Sequence, residues 1–123
     1  LLDTLGELRA AYALADVAVV GRSFGRLHGS DPVEPVSLGK ATVVGPSMGD
    51  FASTVGPLRE AGGVVATDAR RLADTLRDLL GDPARRHEIA AAGRAVIVSR
   101  QGASARAAAV LLERCRVDLG APA

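Results

Sequence analysis

Tryptophan is absent from this chain, and its aromatic residues are Tyr12, Phe24 and Phe51 alone. A core must therefore be built from Ala, Val and Leu. The same shortage removes the stacking platform on which single-stranded nucleic acid is held. No excess of one charge compensates. The net formal charge is +1, and the 15 basic residues, all Arg except Lys40, are scattered, so no bulk attraction to nucleic acid is expected. One cysteine, Cys115, excludes an internal disulfide and fits a reducing compartment. With Leu111 one helical turn earlier, Cys115 reads as a small buried apolar group. No apolar run approaches the roughly 20 residues that cross a bilayer, and nothing resembles a signal peptide. His28 and His87 lack the neighbouring ligands of a zinc site. No Ser sits in a Gly-x-Ser-x-Gly elbow, and no Gly-x-x-x-x-Gly-Lys-Ser/Thr loop occurs, which removes the usual triad hydrolase and P-loop signatures.

What remains is an ordinary globular composition, 48% apolar and 24% charged over 123 residues, enough for one domain. Two short apolar runs, Val17–Val20 and Ala41–Val44, show no alternation and read as parallel strands buried on both faces. A third run, Val64–Ala66, follows Gly62-Gly63. Leu8–Ala15 has helical spacing. Residues 21–32 read as loop, Val33–Leu38 as a short helix with Gly39 as its C-cap, and 45–50 as a second loop. Phe51–Ala61 reads as a helix interrupted or kinked at Gly56-Pro57. Thr67 or Asp68 caps a helix with one stripe of Leu72, Leu76, Leu79 and Leu80. Asp82-Pro83 restarts a helix with Pro at its first position, whose apolar face is Ile89, Ala92 and Val96. Gly102 breaks it, and 103–116 forms a last helix through Ala107, Val110 and Leu111. Gly120–Ala123 reads as a frayed tail. Strands alternating with helices imply an α/β fold with a partial Rossmann-like parallel sheet of about three strands, right-handed crossovers and C-terminal helices. A free-standing doubly wound domain usually has five or six strands, and the chain opens without Met. It therefore reads as the later part of such a domain.

Chemistry is expected where ligands bind in open parallel sheets, at the carboxyl ends of the strands. Glu34 stands there, at the start of the short helix, where a carboxylate can accept both hydroxyls of a ribose. The helix dipole accounts for Glu34 equally well. Gly29, Ser30 and Asp31 precede it. Glycine allows close backbone approach and helix-start N–H groups can face phosphate, while Asp31 is also a ready cap ahead of Pro32. Arg22, Arg26, His28 and Lys40 surround the loop and could neutralise a phosphate, or simply be solvated. Ser23, Ser47 and Asp50 lie in the two loops expected at this edge.

The order of these motifs resembles the nucleotide-sugar domain of GT-B glycosyltransferases. The resemblance runs through Tyr12-Ala13-Leu14-Ala15-Asp16-Val17-Ala18-Val19-Val20-Gly21, Ser23, Pro32-Val33-Glu34-Pro35 and Gly39-Lys40. Three segments narrow it to the 3-deoxy-D-manno-octulosonic acid (Kdo) transferase family. Asp3-Thr4-Leu5-Gly6-Glu7-Leu8 resembles Asp-Thr-x-Gly-Glu-Leu. Asp31-Pro32-Val33-Glu34-Pro35 resembles Asn-Pro-Leu-Glu-Pro. Gly45-Pro46-Ser47-Met48-Gly49-Asp50-Phe51 resembles Gly-Pro-x-x-x-Asn-Phe. Departures are Gly21-Arg22-Ser23 for Gly-Gly-Ser, Ser30 for His, and Asp for Asn at 31 and 50.

The resemblance implies that residues 1–123 are the C-terminal part of a GT-B nucleotide-sugar-binding domain. It implies Kdo transfer from CMP-Kdo to a lipid A precursor, in lipopolysaccharide biosynthesis, without a metal or other cofactor. Gly6, Glu7 and Leu8 would line the donor site, with Ser23, Gly29, Ser30, Asp31 and Glu34 around phosphate and ribose. The acceptor lipid and the catalytic base would belong to an N-terminal domain, so no catalytic residue is assigned here and the chain alone is expected to be inactive. The family works at the cytoplasmic face of the membrane. Two alternatives stay open: a non-catalytic nucleotide-binding or interaction module, and a GT-B-like sugar-nucleotide epimerase. The Asp3–Leu8 segment argues against the epimerase.

Overall fold

The computed structural model describes residues 6–118, and for 103, 104 and 116–118 the backbone alone. Asp3, Thr4 and Leu5 of the first family-like segment and the expected tail at Gly120–Ala123 lie outside the described residues. In chain order the elements are α1 (Leu8–Leu14), β1 (Val17–Val20), a 3-10 turn (Gly21–Phe24), α2 (Val33–Ser37), β2 (Ala41–Val44), a 3-10 turn (Gly49–Phe51), α3 (Ala52–Glu60), β3 (Val65–Ala66), α4 (Leu72–Gly81), α5 (Pro83–Ser99) and α6 (Ala103–Asp118).

The three strands form one parallel sheet in the order β1-β2-β3. Val17 pairs with Ala41 and Val20 with Val44, while Val43 pairs with Val65. Every residue of the central strand β2 is buried, because both of its faces are covered. Val20 and Val44 pack with Val36 of α2, Val55 and Leu58 of α3, and Met48, with Val96 and Ile97 of α5 against them. Ala41 and Val43 face the other way, onto Leu79 and Ile89, with Leu72 and Leu76 of α4 alongside. This is the branched aliphatic core that the scarcity of aromatics required.

β1 departs from expectation. Val19 is 38% exposed while Ala18 and Val20 are buried. β1 is an edge strand, and the face that carries Val17 and Val19 is covered by α4 only toward Val17. The α4 stripe is narrower than its leucines suggested, since Leu79 is buried and Leu80 is 57% exposed. Asp68 caps the turn ahead of α4, accepting from the backbone N–H groups of Arg70 and Arg71 at 2.8 and 3.0 Å. Asp82 caps α5, accepting from Arg85 N at 2.9 Å, with Pro83 at the first position.

Pro57 does not break α3, which runs through it. A proline at 57 has no N–H for the carbonyl four residues earlier. That carbonyl, Ser53 O, accepts from Arg100 Nη1 at 3.1 Å instead, which ties the end of α5 to the start of α3. Beyond Gly102 (φ +93) α6 runs clear of the core. The expected last helix through Ala107, Val110 and Leu111 is present, and Ala105–Cys115 are exposed throughout. Cys115 is exposed as well, not buried. Among the described residues no helix is long and apolar enough to cross a membrane.

Candidate functional site

Because all three strands are parallel, their carboxyl ends share one edge. The segments that leave β1 and β2 there are 21–32 and 45–51, and they are joined to each other. Ser23 is fully buried. Its hydroxyl donates to Val20 O and accepts from Gly45 N at 2.6 Å. Its carbonyl accepts from Ser47 N at 2.9 Å. Gly45 sits so close that a Cβ there would enter the Ser23 carbonyl. The Ser23 hydroxyl is thus taken up by backbone groups of the two loops. Its contribution to the site is through the backbone of both loops.

A second contact repeats the pattern. Gly29 is buried at φ +93, and a Cβ built on it would lie 2.7 Å from Met48 Sδ and 3.0 Å from Ser47 O. Only glycine satisfies both the left-handed backbone and the close approach. His28 precedes it at φ 58, the one non-glycine residue in the left-handed region among those described. Two successive left-handed residues turn the chain back across the second loop before it enters α2.

Asp31 and Glu34 follow. Asp31 Oδ1 accepts from Val33 N at 2.9 Å, which fixes the entry into α2. Pro32, Pro35 and Val36 are buried, whereas Asp31 is exposed and Glu34 is half-buried. The carboxylate thus stands on the open side of a helix whose other side is anchored in the core. α2 has five residues, so its dipole is short. Gly6, Glu7 and Leu8 lie at the start of α1 and are exposed, related to this group through the packing of α1 on α2. Tyr12 marks that contact. Its phenol is pushed above its ordinary value by burial first and by the negative charge of Glu34 second. Ser30 is half-buried beside Gly29.

Of the expected phosphate partners, Lys40 is removed. Its Nζ donates to Ala13 O at 2.7 Å, closing the last turn of α1 at the amino end of β2. Arg22 stays at the carboxyl edge, where Nη2 reaches Leu27 O at 3.4 Å. Two grooves differ in the same way. One of about 530 Å³ lies between Leu38, Gly39 and the α5 residues Ala90 and Val98, on the side of the strands' amino ends. A smaller one of about 370 Å³ runs along Pro46, Met48, Gly49 and Arg59 beside the joined loops. The smaller groove is at the end of the sheet where ligands of open α/β folds bind, and size does not outweigh position. Among the described residues no group of three His, Cys, Asp or Glu is placed to hold a metal ion.

No family model matches the chain. The chain is 41% identical over 105 residues to the 3-deoxy-D-manno-octulosonic acid transferase of Bordetella pertussis, a match covering 85% of this chain and 24% of that protein. With the same-named protein of Haemophilus influenzae it shares 30% identity over 85% of this chain and 25% of the relative. In structure it is similar to the crystallised C-terminal CMP-Kdo binding domain of WaaA from Acinetobacter baumannii, with a TM-score of 0.74 at 30% identity. That match covers 80% of this chain and 52% of the crystallised one. The chain is related to the Kdo transferases. It spans about a quarter of the length of the curated Kdo transferases it matches. The α/β architecture, three parallel strands with helices, is that of the GT-B C-terminal domain it resembles.

Sequence reasoning missed the junction of the two loops. Gly45 and Met48 carry it, and neither bears a chemical group that would mark it. The signal available was the pair Gly29 and Gly45, each at a loop expected at the same sheet edge.

Proposed function

We propose that this chain is the donor-binding part of a Kdo transferase and takes CMP-Kdo at the carboxyl edge of β1 and β2. Glu34 accepts the ribose hydroxyls. The backbone around Gly29, Ser30 and Asp31 lies along the phosphate, and Gly6, Glu7 and Leu8 border the donor from α1. The reaction is attack of an acceptor hydroxyl on the anomeric carbon of the activated sugar. The part played by this chain is to hold the departing nucleotide as negative charge develops on its phosphate. The acceptor is a lipid A precursor, carried with the catalytic base by another part of the polypeptide, at the cytoplasmic face of the membrane. The leaving group is a nucleoside monophosphate, and no metal is needed to hold it if the loops supply the hydrogen bonds.

The observation that carries this reading is the match in fold and sequence to a CMP-Kdo binding domain. Support comes also from Glu34, half-buried on a helix anchored by Pro35 and Val36 at the expected edge. The test is calorimetric titration of the full-length protein with CMP and, separately, with UMP, followed by an assay of Kdo transfer from CMP-Kdo to a lipid A precursor. CMP binding in preference to UMP, with transfer, is the expected result. Binding of neither nucleotide would overturn the reading and leave a non-catalytic module. Binding without transfer would keep the donor site and remove the reaction.

A further inference from the structure

We infer that Ser23 is a positioning residue. Its buried side chain fastens the loop after β2 to the loop after β1, and so builds the seat on which the ligand-facing residues rest. The inference rests on the donor-site reading for its ligand, but the fastening itself is a property of the chain.

Ser23 is fully buried and carries no charge. Its hydroxyl donates to Val20 O, the last carbonyl of β1, and accepts from Gly45 N at 2.6 Å, the first amide beyond β2. One side chain thus satisfies two backbone groups that leave adjacent strands where the ladder ends. The Ser23 carbonyl takes a third, Ser47 N at 2.9 Å. The segment 45–48 is held by these bonds, and it is this segment, through Ser47 O and Met48 Sδ, that Gly29 lies against. Gly29 in turn precedes Ser30, Asp31 and the start of α2, where Glu34 stands. No atom of the Ser23 side chain reaches solvent, so its influence on a ligand passes through Gly45–Met48 and Gly29.

A residue of this kind has a recognisable signature. Removing the hydroxyl leaves the buried Gly45 N–H without its acceptor and frees the second loop, while the sheet itself keeps its register. Ser23→Ala is therefore expected to speed amide hydrogen exchange at Gly45 and Ser47 by roughly tenfold or more, the consequence of losing one buried hydrogen bond. Exchange at Val43 and Val44 within β2 stays slow. In the full-length protein the affinity for CMP falls by a similar factor.

Ser23→Cys replaces the hydroxyl with a larger group of weaker, longer hydrogen bonds, and so is a second variant that loses the fastening without leaving a void. Faster exchange confined to the 45–48 segment in each folded variant is the expected result. Unchanged exchange in this segment in either folded variant would overturn the inference, as would a uniform rise across the sheet. If wild type fails to bind CMP, the donor-site reading falls, and the exchange measurements still decide whether Ser23 fastens the loops.

Discussion

Gly63 and Gly93 meet backbone to backbone. A Cβ on Gly63 would enter the Gly93 main chain, and a Cβ on Gly93 would lie 2.6 Å from Gly63 O and 2.8 Å from Val36 Cγ1. α5 can therefore lie directly against the turn that leads into β3 and against α2, the helix that carries Glu34. The position of the candidate site depends on this contact.

Two opposing effects meet at Gly93. As a residue inside a helix, glycine costs about 1 kcal/mol relative to alanine. As a contact between backbones, it has no room for a methyl group, and overpacking of this kind costs about 1–3 kcal/mol. The Cβ would lie 2.6 Å from a backbone oxygen, so the contact should win, and Gly93→Ala is expected to lower stability by up to about 2 kcal/mol. Gly81, at the end of α4, has open space around its missing Cβ and no left-handed backbone. Gly81→Ala should raise stability by about 0.4–1 kcal/mol. Urea unfolding of the two variants checks both, and a stabilising Gly93→Ala would show that α5 packs less closely than described.

Tyr12 offers a spectroscopic view of Glu34. It is the one tyrosine of a chain without tryptophan, so phenolate absorbance reports Tyr12 alone in residues 1–123. Burial and Glu34 both favour the neutral phenol, raising the folded value above the ordinary 10.0. The contribution to stability is then fully present below that ordinary value and is lost as pH rises through the folded one. Tyr12→Phe should flatten the alkaline decline in stability. Glu34→Gln should move the phenol part of the way back down, since burial remains. Titration of Tyr12 at the same pH with and without the Glu34 charge would contradict the α1–α2 contact at this point.

Asp31 stands where the Asn-Pro-Leu-Glu-Pro segment it resembles has Asn, and its bond to Val33 needs an acceptor rather than a charge. Val33 N donates to it at 2.9 Å. Asp31→Asn keeps an acceptor, so stability should change by less than about 0.5 kcal/mol, whereas Asp31→Ala should cost about 1 kcal/mol. CMP affinity should be equal or higher in the asparagine variant, because a negative charge near phosphate is removed. Loss of binding in Asp31→Asn would mean that the loop is built for a different ligand.

The parts that local rules govern were legible. Unalternating Val17–Val20 and Ala41–Val44 read as parallel strands, Asp82-Pro83 as a helix start, Gly39 as a helix end. The place of Glu34 in the first turn of α2 and the need for glycine at 29 were legible from their order along the chain after a strand. What failed depended on distant partners. Whether Val19 is covered depends on how far α4 reaches, and whether Val110, Leu111 and Cys115 are buried depends on what α6 meets. Lys40 lies close to the loop in sequence, but α2 runs back along the sheet between them, so its ammonium ends at the opposite end of the sheet, on Ala13 O. Ser23 bonds to a residue 22 positions away, and no motif announces that a serine will be consumed by the framework.

The central claim is that the Glu34 carboxylate binds the ribose of a cytidine nucleotide at the carboxyl edge of β1. Calorimetric titration of CMP into the full-length wild-type protein and its Glu34→Gln variant tests it most directly. Glutamine keeps the size of the side chain and its place on α2, so the fold is retained. Hydrogen bonds to a charged group are worth roughly 1.5–3 kcal/mol, so the variant should bind CMP about tenfold more weakly or worse, with its unfolding midpoint unchanged. Equal affinity in the two proteins would contradict the account and leave Glu34 as a residue that serves only the start of a short helix.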